Sequence, residues 1–230
     1  MSVTEAVVVS NRTASFLIAV RHDAQKLADR IAEVWSYVDE VVVVHDGECE
    51  DDTVDVALEC GATVITAPYE GYCEPQRKRG LTVCTSDWVL MGDVDEVFAP
   101  KFLENLQQTI DRAVRKRCDR VAIRRLEYYL EPQEVSLHVR LFKRESTVLS
   151  DIIHIQPGGP GRVLNLRGVQ FTHYSSTDGP HGDRDAAREK SRRYANVQKR
   201  LQERYAARPE IISEFLRVEY NTGEDEYAED

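Results

Sequence analysis

Asp93 and Asp95 stand two residues apart, directly after the apolar run Trp88 to Met91, and Glu96 follows them. In an extended segment that spacing points both carboxylates to the same side. Paired carboxylate oxygens suit Mn²⁺ or Mg²⁺, hard ions that accept diphosphate oxygens as further ligands. An ion held there neutralises charge developing on a departing nucleoside diphosphate. An Asp-x-Asp in isolation is also a common solvated turn, so the place of this pair after an apolar run carries the weight. Asp46 has a similar setting, after the four valines Val41 to Val44. In open parallel α/β sheets ligands bind beyond the carboxyl ends of the strands.

The elements that must position these acids follow from the hydrophobic pattern. Phe16 to Val20, Val41 to Val44, Ala62 to Ala67 and Trp88 to Met91 are short apolar runs suited to buried parallel strands. Between them, Ala24, Leu27, Ala28, Ile31, Val34, Trp35 and Val38 form one helical stripe. Asp52 is placed to cap a helix through Cys60 that Gly61 ends, and Gln76 to Cys84 also reads as helical. Pro100 suits the first turn of one long helix to about Lys116. Strands alternating with helices at this spacing imply an α/β fold whose sheet is mainly parallel.

Beyond Cys118 the pattern turns extended: Val121 to Leu130, Leu137 to Phe142, Ile152 to Gln156 and Val163 to Thr172, with Glu131-Pro132-Gln133 as a connection. Pro157-Gly158-Gly159-Pro160-Gly161 has the composition of a flexible loop. A polar helix is expected from about Asp183 to Ala206 and a shorter one from Pro209 to Tyr220. The expected organisation is a catalytic unit over 1–182, with a nucleotide-binding half (1–100) and an acceptor half (101–182). Helices over 183–220 and a disordered acidic tail over 221–230 complete it.

Composition narrows the classes. The 230 residues fit one domain with a central sheet, and 42% hydrophobic with 30% charged residues is ordinary for a globular protein. No stretch approaches the ~20 apolar residues of a membrane span, and no N-terminal leader is evident. The five cysteines (Cys49, Cys60, Cys73, Cys84, Cys118) form no CxxC pair, so a disulfide framework or zinc site is not expected and a cytoplasmic setting is. A formal charge of −10 opposes a general grip on nucleic acid. The stretch from Arg184 to Arg208 is nonetheless basic. It suits either a solvated helix face or a surface for a phosphate-bearing acceptor or an anionic membrane.

With these residues in view, Phe16 to Phe98 resembles family 2 glycosyltransferases of the GT-A fold, nearest to the branch of lipopolysaccharide-core transferases. The resemblance is carried by Arg21-His22-Asp23 after the first strand and by the run Val44 to Thr53. Gln76-Arg77-Lys78-Arg79-Gly80 at a helix start and Asp87-Trp88-Val89-Leu90-Met91-Gly92-Asp93-Val94-Asp95-Glu96 complete it, the last being the most specific. More loosely, Arg140 to Arg144 resembles an RLFRR-like segment, and His173 with Lys190 to Tyr194 a late histidine and K-x-x-Y helix. Lys78 stands where the family has Asn, Glu48-Cys49 where it has Ser-Thr, and His154-Ile155 where the branch has His-Glu.

The resemblance implies inverting transfer of a sugar from a nucleotide-sugar donor, with UDP-sugars favoured. The acceptor hydroxyl would belong to a glycan or a phosphate-bearing glycolipid. Asp46 would hold the nucleoside base or ribose, Asp23 would be a further nucleotide-binding residue, and Arg77 would lie near the diphosphate. Asp93 would contact the ribose or the metal's water shell, Asp95 would ligate the metal, and His173 would be a later ligand or a buried structural histidine. Asp151 and His154 are the candidates for the general base, Asp151 being favoured, with the acceptor expected between the glycine loop and the basic helix. Two other readings stay open: an inert nucleotide- or metal-binding module, and a nucleotidyltransferase on a similar core. The latter calls for a glycine-rich loop where Arg21-His22-Asp23 stands.

Overall fold

The computed structural model describes residues 12–128, 135–174 and 184–206. They form one eight-stranded sheet in the order β3-β2-β1-β4-β7-β6-β8-β5. The strands are β1 (Ala14–Val20), β2 (Glu40–Asp46), β3 (Thr63–Ala67), β4 (Trp88–Gly92), β5 (Glu96–Phe98), β6 (Cys118–Glu127), β7 (Val135–Lys143) and β8 (Arg162–His173). The helices are α1 (Ala24–Val34), α2 (Thr53–Glu59), α3 (Glu74–Leu81), α4 (Pro100–Glu104), α5 (Leu106–Arg115) and α6 (Arg184–Tyr205). The expectation of a mainly parallel α/β sheet flanked by helices is borne out. Both expected halves of the catalytic unit contribute strands to this single sheet.

The apolar runs are continuous because the central strands are covered on both faces. Phe16, Ile18, Val41, Val43, Trp88 and Leu90 pack with α1, α4 and α5 on one side. Leu17, Val42, Val44, Val89 and Met91 face the other side, where Leu81 of α3 and Leu149 lie over them. The alternation along each strand is the two-residue period of the pleat. Gly80 lets α3 settle onto β1 and β2. A Cβ there would overlap Leu17 Cδ1 and lie 2.7 Å from Val44 Cγ2.

Strand direction decides where the site lies. β1, β2, β3 and β4 are mutually parallel. β7 runs against β4 and against β6, so β6 points the same way as β4, and β8 is parallel to β6. The carboxyl ends of all these strands except β7 therefore share one edge of the sheet. β5 pairs antiparallel with β8, setting Glu96 opposite His173.

Several local expectations need correction. The helix from Pro100 is broken at Asn105 (φ −104°, ψ 17°), whose side-chain amide donates to the Lys101 carbonyl at 2.6 Å. That local bond competes with the helical ladder. Asp52 sits at the N-cap of α2 without a side-chain bond, and Asp51 Oδ1 instead accepts the Thr53 N–H at 3.0 Å. Ile152 to Gln156 is not a strand; His154 has φ 65°, and its N–H donates to Glu74 Oε1 at 2.7 Å. The glycine loop is pinned by the Arg120 guanidinium, which donates to the carbonyls of Gly159 (2.6 Å) and Gly161 (2.7 Å). The connection at Glu131-Pro132-Gln133, the helix from Pro209 and the acidic tail lie outside the described residues.

Candidate functional site

At the carboxyl edge, a cleft of about 320 Å³ opens between the ends of β1 and β2, the start of α3, and α6. Asp23 and Asp46 line it, together with Tyr69, Gln76, Arg193 and Tyr194. Asp23 has φ 82°, a left-handed conformation uncommon outside glycine and concentrated at functional turns. Asp46 is 7% exposed and its carboxylate is engaged by the fold. It accepts the Glu70 N–H (2.9 Å), the Gly71 N–H (3.3 Å) and a short bond from the Gln76 side-chain amide. Asp46 therefore fixes the loop that floors the cleft. Arg21 lies over the Tyr69 ring, 4.1 Å from its centroid, at the cleft wall.

The Asp-x-Asp pair is split between two jobs. Asp93 receives one nitrogen of Arg77 on both its oxygens at 2.5 Å, and Arg140 approaches at 3.5 Å. Burial alone would raise the Asp93 pKa, but these two guanidiniums hold it well below the usual carboxylate range. The same pairing keeps Arg77 charged although burial opposes its charge. Asp95 turns instead toward His173, with Oδ2 3.3 Å from Nε2.

His173 is oriented from behind. Its Nδ1 lies 2.6 Å from Glu127 Oε2, at the end of β6, which leaves Nε2 facing Asp95. A carboxylate behind one ring nitrogen, setting the direction of the other, is the usual support of a metal-ligating histidine. Burial would lower the His173 pKa, yet Asp95 and Glu127 together raise it to about 9. The chain of alternating charge continues. Arg125 contacts Glu127 (2.5 Å) and Glu96 (3.9 Å), and Glu96, only 1% exposed, bonds closely with Arg140. Burial raises the pKa of Glu96 while Arg140 opposes the rise.

The donor set fits a hard divalent ion. One carboxylate and one imidazole face each other 3.3 Å apart, about the spacing of adjacent ligands around a six-coordinate ion with ~2.1 Å bonds. Among the described residues His45, Cys49 and Asp51 also bring possible ligand atoms within 4.8 Å of one another. There, however, both His45 nitrogens lie against backbone carbonyls, of Gly47 at 2.9 Å and Arg21 at 2.8 Å.

Neither expected general base lines this cleft. The Asp151 carboxylate accepts Tyr205 Oη–H at 2.6 Å and Arg204 at 3.0 Å, both from α6, and its carbonyl accepts Tyr72 Oη–H at 2.8 Å. It borders a separate depression with Lys78, Arg79 and Thr82. His154 packs its ring edge-on against Tyr194, 5.6 Å between centroids. The expected acceptor entrance beside the glycine loop also needs correction. Arg120, which pins that loop, is near the amino end of β6, seven residues before Glu127 and so roughly 23 Å from the carboxyl edge at ~3.3 Å per residue.

Glu127, Arg125 and the buried Glu96–Arg140 pair escaped the sequence reading, as did Tyr69 and Tyr72. In the structure Glu127 and His173 each close a strand, as Asp46 does.

Comparison with known proteins gives the family. Residues 15–163 match Glycosyl transferase family 2. An uncharacterized glycosyltransferase of Rickettsia felis is 37% identical over 93 residues, 40% of this chain and 32% of that protein. One from Rickettsia prowazekii is 27% identical over 179 residues, 71% of this chain and 60% of that protein. This chain thus spans a third to three-fifths of the length of these relatives. Among solved structures, glucosyl-3-phosphoglycerate synthase from Mycobacterium tuberculosis, in complex with Mn²⁺, UDP and glucosyl-3-phosphoglycerate, is 21% identical. Its TM-score is 0.41, with 52% of this chain and 45% of that one covered. No helix among the described residues is long and apolar enough to cross a membrane. With well over half of its length matched, the chain belongs to glycosyl transferase family 2.

Proposed function

We propose that this chain transfers a sugar, with inversion, from a nucleotide-diphosphate sugar to an acceptor hydroxyl, assisted by Mn²⁺ or Mg²⁺. The observation that carries the reading is the meeting of Asp95 and His173 at the carboxyl edge, with Glu127 orienting the histidine, beside the cleft lined by Asp23, Tyr69 and Gln76. Asp95 and His173 would hold the ion, and Asp93 would face its water shell or the ribose. When bound, the ion offsets charge on the leaving diphosphate.

The chain's own residues do the rest. Tyr69, backed by Arg21, offers an aromatic wall for the base, and UDP-sugars are the favoured donors. Arg77, paired with Asp93 and one residue on from cleft residue Gln76, would lie near the diphosphate. Arg193, on α6 at the cleft mouth, is a second cation for the same group. For the acceptor proton we favour His154, which meets cleft residue Tyr194; we reassign Asp151 to anchoring α6. The late His173 and the Lys190 to Tyr194 segment favour the lipopolysaccharide-core-like branch, with a glycan or phosphate-bearing glycolipid as acceptor.

A thermal-shift series over nucleoside diphosphates and nucleotide sugars, with and without Mn²⁺, tests the reading, because only ligands of the folded state raise Tm. A Tm rise that requires both metal and nucleotide is expected. Release of nucleoside diphosphate from a nucleotide sugar separates transferase from inert module, and pyrophosphate production would favour the nucleotidyltransferase instead.

A further inference from the structure

Helix α3 serves two surfaces. Cys73, at its N-cap, and Gln76 line the donor cleft, and Gly80 packs against β1 and β2. Pro75, Lys78, Arg79 and Thr82 are also spaced by three and four residues, so they share a different face of the same helix. With Glu70, Asp151 and Arg204 they line a second depression, of about 430 Å³. Cations outnumber carboxylates around it. Glu70 Oε1 accepts Arg79 Nη2 at 2.9 Å, and Asp151 Oδ2 accepts Arg204 Nη1 at 3.0 Å, so each arginine is matched by one acid. The arginine side chains stay 38% and 58% exposed, and both guanidiniums remain reachable from solvent. Lys78 is exposed and meets no acid among the described residues. Arg200, whose Nη2 donates to the Glu70 carbonyl at 3.0 Å, meets none either.

We propose that this depression binds a phosphate group. A phosphomonoester brings close to two negative charges and three strong acceptor oxygens at neutral pH. Lys78 and Arg200 are the charges left over once the two acid–arginine pairs are counted, and together they match that dianion. Lysine supplies a point charge and arginine a planar fork suited to phosphate oxygens. A nucleic-acid strand, which needs a run of such contacts, is opposed by the formal charge of −10. The volume is in the range of ~300–1,000 Å³ that holds a small molecule, so the phosphate need not come alone. Arg204 is eleven residues along α6 from Arg193 at the donor cleft, roughly 16 Å at ~1.5 Å per residue. That span sets the site apart from the donor diphosphate and suits a phosphate carried on an extended acceptor. The acceptor role rests on the transferase reading; the phosphate site does not, and free inorganic phosphate is the other source of the same chemistry.

Backbone-amide NMR on the full chain without metal tests it, with inorganic phosphate and glucose 6-phosphate as probes and methyl α-D-glucopyranoside as the uncharged control. Saturable shifts are expected at Lys78, Arg79, Thr82 and Arg204 with both phosphates and not with the glycoside. Lys78→Gln should weaken that binding about 3- to 10-fold, and Lys78→Arg should retain it. An unchanged spectrum away from the depression shows that both variants are folded. Tighter binding of glucose 6-phosphate than of inorganic phosphate assigns the site to a phosphate-bearing acceptor, and equal or weaker binding assigns it to the free ion. Shifts confined to Asp23, Tyr69 and Gln76 would place the phosphate in the donor cleft and overturn the site. So would the absence of saturable shifts, or an affinity that Lys78→Gln leaves unchanged. A separate titration with UDP and Mg²⁺ reads the donor cleft at Asp23 and Gln76. Its failure overturns the donor reading, and the acceptor role with it, while the phosphate site stands or falls on the first titration.

Discussion

Arg77, in the second turn of α3, lays one guanidinium nitrogen across both carboxylate oxygens of Asp93 at the end of β4. Helix and strand end are thereby joined by a charge pair, and Gly80, one turn further along α3, sets the distance between them. Removing one partner of such a buried pair strands the other. Arg77→Ala is expected to weaken nucleoside diphosphate binding by more than ~1 kcal/mol and to lower Tm. Isothermal titration calorimetry beside a melting curve checks both; an unchanged affinity would move the diphosphate away from α3.

Asp95→Asn should abolish the metal-dependent part of nucleotide binding and lower Tm of the free protein modestly, since His173 loses one of its two carboxylate partners. His173→Gln should behave alike if the two share an ion. Calorimetry with Mn²⁺ and with EDTA separates the cases, and equal wild-type affinity in the two conditions would sink the metal assignment.

Asp151 ties α6 to the body through Tyr205 and Arg204, and α6 carries Arg193 and Tyr194 to the cleft. Asp151→Ala should therefore weaken donor binding roughly 3- to 10-fold, the effect of losing about 1 kcal/mol of anchoring, and leave saturated turnover near normal. A general base would give the reverse: intact affinity with turnover down ~10²- to 10⁴-fold. His154→Ala is expected to show that second pattern.

Glu40 offers a pH test of stability away from the site. Its Oε1 accepts bonds from Ser15, from the N–H and hydroxyl of Thr85 and from the N–H of Ser86. Burial would raise its pKa, but these donors lower it. A depressed folded pKa gives stability that is fully present above the unfolded value of about 4.3 and is lost as pH falls through the folded one. Glu40→Gln should cost roughly 1 kcal/mol at pH 7, allowing for solvent screening. Urea titrations at pH 7 and pH 3 should show that gap narrowing in acid; a constant gap would contradict the assignment.

The parts legible in the sequence are those whose cause is local. Phe16 to Val20 and Val41 to Val44 announce β1 and β2 because strands buried on both faces need unbroken apolar runs. Asp46, Asp93 and Asp95 were legible by standing at the ends of such runs. β5 was not, since its three residues are extended only through pairing with β8. The glycine loop looked flexible by composition, and the arginine that fastens it lies 39 residues upstream. Glu127 behind His173 depends on the register of β6 against β8, which nothing local specifies.

β5 is the outermost strand of the sheet, and β8 is the neighbour with which it pairs. Asp95 and Glu96 leave the translating ribosome long before His173, so the strand that carries them has no partner until nearly the whole sheet has been synthesised. Pairings this distant in sequence close slowly, because the loop entropy must be lost before any contact forms. The Asp95–His173 end of the sheet is accordingly late to assemble, with only α6 still to follow among the described elements. A nascent chain that has paired β1, β2 and β4 still lacks His173, the proposed partner of Asp95, and acquires it only when β8 enters between β6 and β5.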